Sequence, residues 1–275
     1  MPDTELFPFA EDGLQRIALG VEYHGAHYNG WQRQKNTISV QEELEKALSV
    51  VANHPVKVQC AGRTDSGVHA SAQVVHFDSP ANRNERNWLL GVNANLPDDI
   101  AVHWVSMVDE RFHARFSAVT RRYRYIILAQ HPRSALLAKR VTWSRAQLDE
   151  NRMHLAAQHL VGTHDFTAYR ALHCQAKSPV RTMHALDVTR EGDFIYLDVV
   201  GNAFLHHMIR NIAGVLMEIG AGEKEVDWSR EILEQRDRSK GGVTAKPWGL
   251  YLVHVEYPRE LGVNQPIRRP SYNLS

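Results

Sequence analysis

The sequence predicts an α+β fold: two tandem split-βαβ (ferredoxin-like) units with largely antiparallel sheets meeting around a central cleft. Three observations carry that prediction. The order strand, helix, strand, strand, helix, strand runs through residues 16–108 and recurs through 119–257. Glu191-Gly192-Asp193 marks a hairpin turn inside the second copy. Finally, 275 residues exceed one average domain, while 43% apolar and 23% charged residues suit a chain with packed cores.

In the first copy, residues 16–24 alternate as a strand. A helix follows Ser39, where Ser39 and Glu42 form a capping box and Val40, Leu44, Ala47, Leu48 and Val51 share a face. Residues 56–61 and 72–78 read as strands joined through the Gly62–Gly67 turn. A helix near 84–93 and a strand near 100–108 complete the unit. The second copy has strands near 119–128, 183–189, 194–200 and 250–257. Its helices lie near 145–160 and from Ala203 to Ile219, the latter stopped by Gly220. The expected domains are therefore 14–112 and 113–258, followed by a tail, 259–275. Segment 221–247 reads as a mobile insertion, and the polar ends, 1–13 and 258–275, as peripheral.

Composition excludes several function classes. No run of 18 apolar residues exists, so no membrane span is expected, and the acidic start Met1-Pro2-Asp3-Thr4-Glu5 lacks the order of a secretory signal. Two distant cysteines, Cys60 and Cys174, fit reduced thiols in a cytoplasmic protein. The 16 histidines include no HExxH and no His-Cys cluster, and CxxC pairs are lacking too, so no metal is expected. Without a P-loop or dinucleotide fingerprint, no cofactor is expected either. The net charge is only +1, yet nine Lys or Arg and no acidic residue lie between Arg111 and Arg145. They interleave with Phe112, Phe116, Tyr123 and Tyr125. A solvated basic face and a polyanion-binding surface both account for this.

Three groups of residues carry potential chemistry. Asp65 sits in Gly62-Arg63-Thr64-Asp65-Ser66-Gly67-Val68-His69. An Asp-Ser-Gly taken alone is most simply a turn whose Asp bonds its own backbone. Against that stand Arg63, able to hold a carboxylate or reach a nucleic acid, glycines that admit a substrate backbone, and His69 nearby. An aspartic protease needs two such triplets and the chain has one; an aspartate phosphatase needs a second Asp where Gly67 stands. In the second group, Arg121-Arg122-Tyr123-Arg124-Tyr125, strand alternation sends Tyr123 and Tyr125 one way and Arg122 and Arg124 the other. Tyrosines on a strand are more often core than catalytic. The third group places His206, His207, Arg210 and Gly214 on one helical stripe, either solvated or facing a partner.

These segments, with Phe204 to Asn211, the opening Tyr23-Gly25-Tyr28-Gly30-Trp31-Gln32 and the late Trp248-Gly249-Leu250, resemble the pseudouridine synthase family over roughly residues 14–257. The resemblance implies isomerisation of uridine in tRNA without metal or cofactor. It implies Asp65 as nucleophile, Arg210 as its ion-pair partner, and Tyr123 stacking on the uracil and taking the C5 proton. Arg63 would help replace the flipped nucleotide. His69, Arg122, Arg124, His206 and His207 are further expected substrate contacts. The implied target is uridines 38–40 of the anticodon stem-loop, and the implied assembly a homodimer spanned by the tRNA. A non-catalytic RNA-binding module is the competing reading, since split-βαβ units bind single strands through sheet aromatics.

Overall fold

The computed structural model describes residues 13–172, 174, 176–263 and 266–272. Within them the chain divides into two units, one formed by residues up to Val119 with Leu252–Arg268, the other by Thr120–Tyr251 with residues from Arg269 on. Both are mixed α/β with largely antiparallel sheets, and five α-helices are present among the described residues.

In the first unit, β1 (Gln15–Tyr23) is flanked antiparallel by β3 (His69–Ser79) and β4 (Ile100–Met107). Helix α1 (Val40–Ala52) starts where the capping pattern predicts, with the Ser39 side chain accepting from the Glu42 N–H and Asn53 closing it in the left-handed region. Helix α2 (Glu85–Asn95) is capped by Asn84 and buries Trp88 edge-on against Phe77 of β3, ring centroids 5.2 Å apart. Strand β2 is only Gln59–Cys60, paired with β3, rather than the expected 56–61. Helix α1 explains the truncation: Ser49 Oγ accepts from the Val56 N–H and Glu45 Oε1 from the Val58 N–H, removing donors that would extend the ladder.

In the second unit, β5 (Thr120–Ala129) pairs antiparallel with β9 (Phe194–Gly201), which pairs with β8 (Val180–Glu191), and β7 (Gly162–Asp165) follows. Short β6 (Thr142–Ser144) lies parallel to β5. Strands β6 and β7, three and four residues long, are too short for a periodic pattern to reveal. Helix α3 (Glu150–Gln158) begins after Asp149, whose carboxylate accepts the Asn151 and Arg152 N–H groups, and not at 145. Helix α4 runs Met208–Gly220, five residues short of its expected start at Ala203: His207 sits at φ 61° in the left-handed region and ends any continuation towards the N-terminus.

The insertion expected to be mobile is ordered. It holds α5 (Trp228–Gln235) and a strap over 237–247 hydrogen-bonded along α4. The last strand, β10 (Leu250–Glu256), neighbours β3 in sheet order. Residues after it are anchored as well: the Arg268 N–H donates to Val253 O, and Pro270 O accepts from Arg124 Nη1. The N-terminal stretch expected to be peripheral lies, up to residue 12, outside the described residues.

Candidate active site

Asp65 belongs to the first unit, in the segment joining β2 to β3, and is half-buried between exposed Arg63 and exposed Ser66. Its carbonyl accepts the Val68 N–H at 3.1 Å, closing a four-residue turn. To that extent it is the plain turn that a lone Asp-Ser-Gly suggests, yet the turn is held from outside on every side. The Trp31 N–H donates to Thr64 O at 3.0 Å, and the Gly67 N–H to Tyr28 O at 3.3 Å. Ser66 Oγ reaches the same Tyr28 carbonyl. The Thr64 hydroxyl meets the buried Tyr23 hydroxyl at 2.8 Å, and Gln73, fully buried, donates to Gly62 O at 2.6 Å.

Gly30 packs directly against the backbone of Thr64 and Asp65, as Gly25 does against that of Val68. At φ +87° Gly30 occupies the left-handed region, and a Cβ there would stand 2.6 Å from Thr64 O and 3.0 Å from the Asp65 carbonyl carbon. Residues 23–31 therefore form a mould for the Asp65 backbone. Tyr28 is itself fixed by donating to Asp99, and burial followed by that carboxylate raises its pKa. His69, expected to touch substrate, is 1% exposed at the head of β3; its Nδ1 accepts the Gly25 N–H at 2.9 Å and its ring stacks on His24. That hydrogen bond ties the mould to the strand after the turn.

The second unit carries the other candidates. Tyr123 and Tyr125 do share a face of β5, opposite Val199 and Leu197. Tyr125 is completely buried, its hydroxyl 2.6 Å from Thr142 Oγ1 and donating to Lys246 O at 2.8 Å, and burial pushes its pKa up. Tyr123 retains 8% exposure and meets Phe204 edge-on, centroids 5.1 Å apart. Both rings are buried, Tyr125 completely and Tyr123 nearly so.

On the opposite face, Arg124 is engaged within the sheet. It forms a bidentate pair with Asp198, its direct partner on β9, at 2.9 and 2.6 Å, and stacks over Tyr196. Arg124, expected as a substrate contact, joins two strands through this pair. Arg122 is half-buried, and its Nε lacks a hydrogen-bond partner among the described residues. His206 and His207 precede α4 rather than riding on it, their rings 4.0 Å apart, with His206 exposed. Arg210 and Gly214 are one turn apart on α4, and the stripe they define is covered: Arg210 Nε donates to Ala245 O at 2.9 Å, and Gly214 lies against Val243 O.

The sequence pattern assigns no structural task to Tyr23, Gly25, Tyr28, Gly30, Trp31 or Phe204, and it does not reveal Gln73 or the strap. Glycines spaced five apart among aromatics were the available signal for the mould. The strap has none, because its contacts run through backbone carbonyls and single polar side chains.

The profile of a family described as tRNA pseudouridine synthase matches residues 20–117 and 156–258. Those intervals include Asp65 and Arg210 and leave Tyr123 between them. Relatives described as tRNA pseudouridine synthase A match nearly the whole chain. The one from Shewanella woodyi is 60% identical over 259 residues, covering 94% of this chain and 99% of the relative. That from Pseudomonas aeruginosa is 58% identical over 264 residues, 96% and 93%. That from Aeromonas hydrophila is 58% identical over 250 residues, 91% and 93%.

Proposed function

The chain belongs to the tRNA pseudouridine synthase family, and from that premise we propose that it isomerises uridine to pseudouridine in tRNA with Asp65 as nucleophile. In this reaction the bond from ribose C1′ to uracil N1 breaks and a bond from C1′ to C5 forms. The C5 proton is lost and N1 gains one, so nothing is consumed and no co-substrate is required. The observation that carries the reading is the mould around Asp65, which fixes the backbone of a half-buried carboxylate through contacts contributed by residues 23–31 and 73.

Each remaining part of the reaction has a candidate in the chain. A uridine must leave its stack to reach a carboxylate, which calls for an aromatic face to receive it and a cation to take its place. Tyr123 is the aromatic face and, in this reading, the group that removes the C5 proton; exposed Arg63 takes the vacated position. Arg210 supplies the positive charge that keeps Asp65 ionised, since a neighbouring cation depresses a carboxyl pKa. The target is the anticodon stem-loop at uridines 38–40, and the working form is a homodimer. We further read the element orders of residues 15–107 and 120–256 as tandem split-βαβ repeats.

Tritium release from tRNA labelled at uridine C5 tests the activity. Release by the intact chain and its loss in Asp65→Asn, with tRNA still retained on a filter, is the expected result. Absence of release by the intact chain would sink the proposal. Turnover by Asp65→Asn at the parental rate would remove Asp65 from its role and favour a different nucleophile. Mapping the product in an isolated anticodon stem-loop tests the position, and sedimentation equilibrium the dimer.

A further inference from the structure

The strap over 237–247 follows α4 antiparallel, and its contacts fall at Arg210, Asn211, Gly214 and Glu218. The Ala245 N–H donates to Arg210 O at 3.1 Å, and Arg210 Nε donates back to Ala245 O at 2.9 Å. Val243 O rests where a Cβ on Gly214 would stand 1.8 Å away, so only glycine admits the strap there. The Val243 N–H donates to Glu218 Oε1 at 3.2 Å. Residues 210, 214 and 218 are spaced by four, which places them on one helical stripe.

Beside this stripe stands a polar triad. Asn211 is 2% exposed, and its Oδ1 accepts from Thr244 Oγ1 at 2.6 Å and from Arg238 Nη2 at 3.1 Å. Arg238 Nη2 also donates to Thr244 Oγ1 at 3.0 Å, and Asn211 Nδ2 donates to Tyr169 O at 2.8 Å. The triad therefore clamps residue 244, and residue 245 holds Arg210. A closed network of this kind tolerates little displacement, because removing one member leaves buried polar atoms without partners.

We propose that Arg238, Thr244 and Asn211 are positioning residues that set the orientation of the Arg210 guanidinium through the Ala245 carbonyl. An arginine can meet a carboxylate through its Nε–Nη edge or through its two terminal nitrogens. With Nε directed at Ala245 O, Arg210 brings the Nη1–Nη2 edge to an anion. The inference rests on the reading of Arg210 as the cation serving Asp65. It extends that role to three residues that do not touch the reacting atoms.

The test is a set of variants read by single-turnover tritium release and by substrate titration. Thr244→Val keeps the shape and loses the hydroxyl; Thr244→Ser keeps the hydroxyl and loses a methyl. Thr244→Val is expected to lower kcat about tenfold with KM little changed, the scale of a small misplacement of a catalytic group. Thr244→Ser restores most of the parental kcat, whereas a packing role would spare Val and penalise Ser. Should Thr244→Val fail to fold, Arg238→Met, altering a half-exposed side chain, repeats the measurement with the same expected fall. Parental kcat in the Val or Met variant overturns the inference, as does equal impairment by Val and Ser. Arg210→Gln separates the two levels: if it is inactive while Thr244→Val is fully active, only the positioning role falls. If Arg210→Gln is itself fully active, the underlying reading of Arg210 falls.

Discussion

The hydroxyls of Tyr23 and Thr64, residues 41 apart in sequence, stand 2.8 Å apart in the buried interior of the first unit. Tyr23 ends β1 and Thr64 immediately precedes Asp65, so one hydrogen bond ties the end of a central strand to the residue before the candidate nucleophile. Gln73 completes the arrangement by donating to Gly62 O at 2.6 Å and to the Tyr23 hydroxyl at 3.4 Å. The approach to Asp65 is thereby held at Gly62 and Thr64 by side chains from β3 and β1.

Tyr23→Phe should therefore cost both stability and activity. It leaves the Thr64 hydroxyl, 8% exposed, without this partner in an interior that water does not reach easily. A loss of about 1–2 kcal/mol is expected in denaturant unfolding. Because the bond lies one residue from Asp65, kcat should fall more than KM rises. Unfolding and kinetics indistinguishable from the parent would show that the hydroxyl pair does not hold the loop.

Gly30→Ala is expected to displace the Asp65 turn while leaving the rest of the first unit folded. The added Cβ meets backbone atoms of Thr64 and Asp65, which cannot rotate aside, and alanine is strained at φ +87°. A fall in kcat on the order of a hundredfold follows from a shift of about 1 Å in the carboxylate. Circular dichroism of the parental form with normal turnover would refute the mould.

Breaking the Arg124–Asp198 pair should act on stability through the second unit's sheet. The two side chains are 12% and 20% exposed, and Arg124→Met leaves the Asp198 carboxylate with the more distant Arg269 Nε, 3.9 Å from Oδ1, in place of a bidentate pair. Roughly 1–3 kcal/mol of stability should be lost, and the double variant Arg124→Met/Asp198→Leu should regain most of it. If Arg124→Met were as stable as the parent and lost tRNA affinity, the substrate-contact role would be reinstated.

Acid should weaken the first unit through His76. Its ring is 4% exposed, its Nδ1 accepts the Ala114 N–H at 3.1 Å, and burial, then His113 and Arg16, lower its pKa to about 4. The unfolded chain protonates the same ring near 6.5. Between those values the unfolded state binds the extra proton. The His76 contribution is thus complete above about pH 6.5 and is lost as pH falls towards 4, by up to roughly 3 kcal/mol. His113, shifted the same way by burial, adds to the slope. His76→Gln should flatten the dependence of unfolding free energy on pH in this window; an unchanged slope would assign it to other groups.

Periodicity located the major helices and strands because their burial is periodic. Leu44 and Leu48 on α1, and Ile212, Leu216 and Ile219 on α4, are fully buried at the spacing the sequence displays. It failed where a single backbone angle or side-chain acceptor decides: the left-handed His207 starts α4 late, and Ser49 and Glu45 cut β2 to two residues.

The sequence by itself determined the element order, since alternation and helical spacing are written in neighbouring residues, and its resemblance to a family pointed to Asp65, Tyr123 and Arg210. Only the tertiary structure decided what holds them. It buried Tyr125 completely, turned Arg124 into a cross-strand tie, and converted an expected mobile insertion into the strap on Arg210. Those outcomes depend on hydrogen bonds between groups tens of residues apart, and such bonds have no period along the chain. Asp65, first met as a carboxylate in a glycine-flanked turn, is distinguished from an ordinary turn residue by the mould that residues 23–31 build around it.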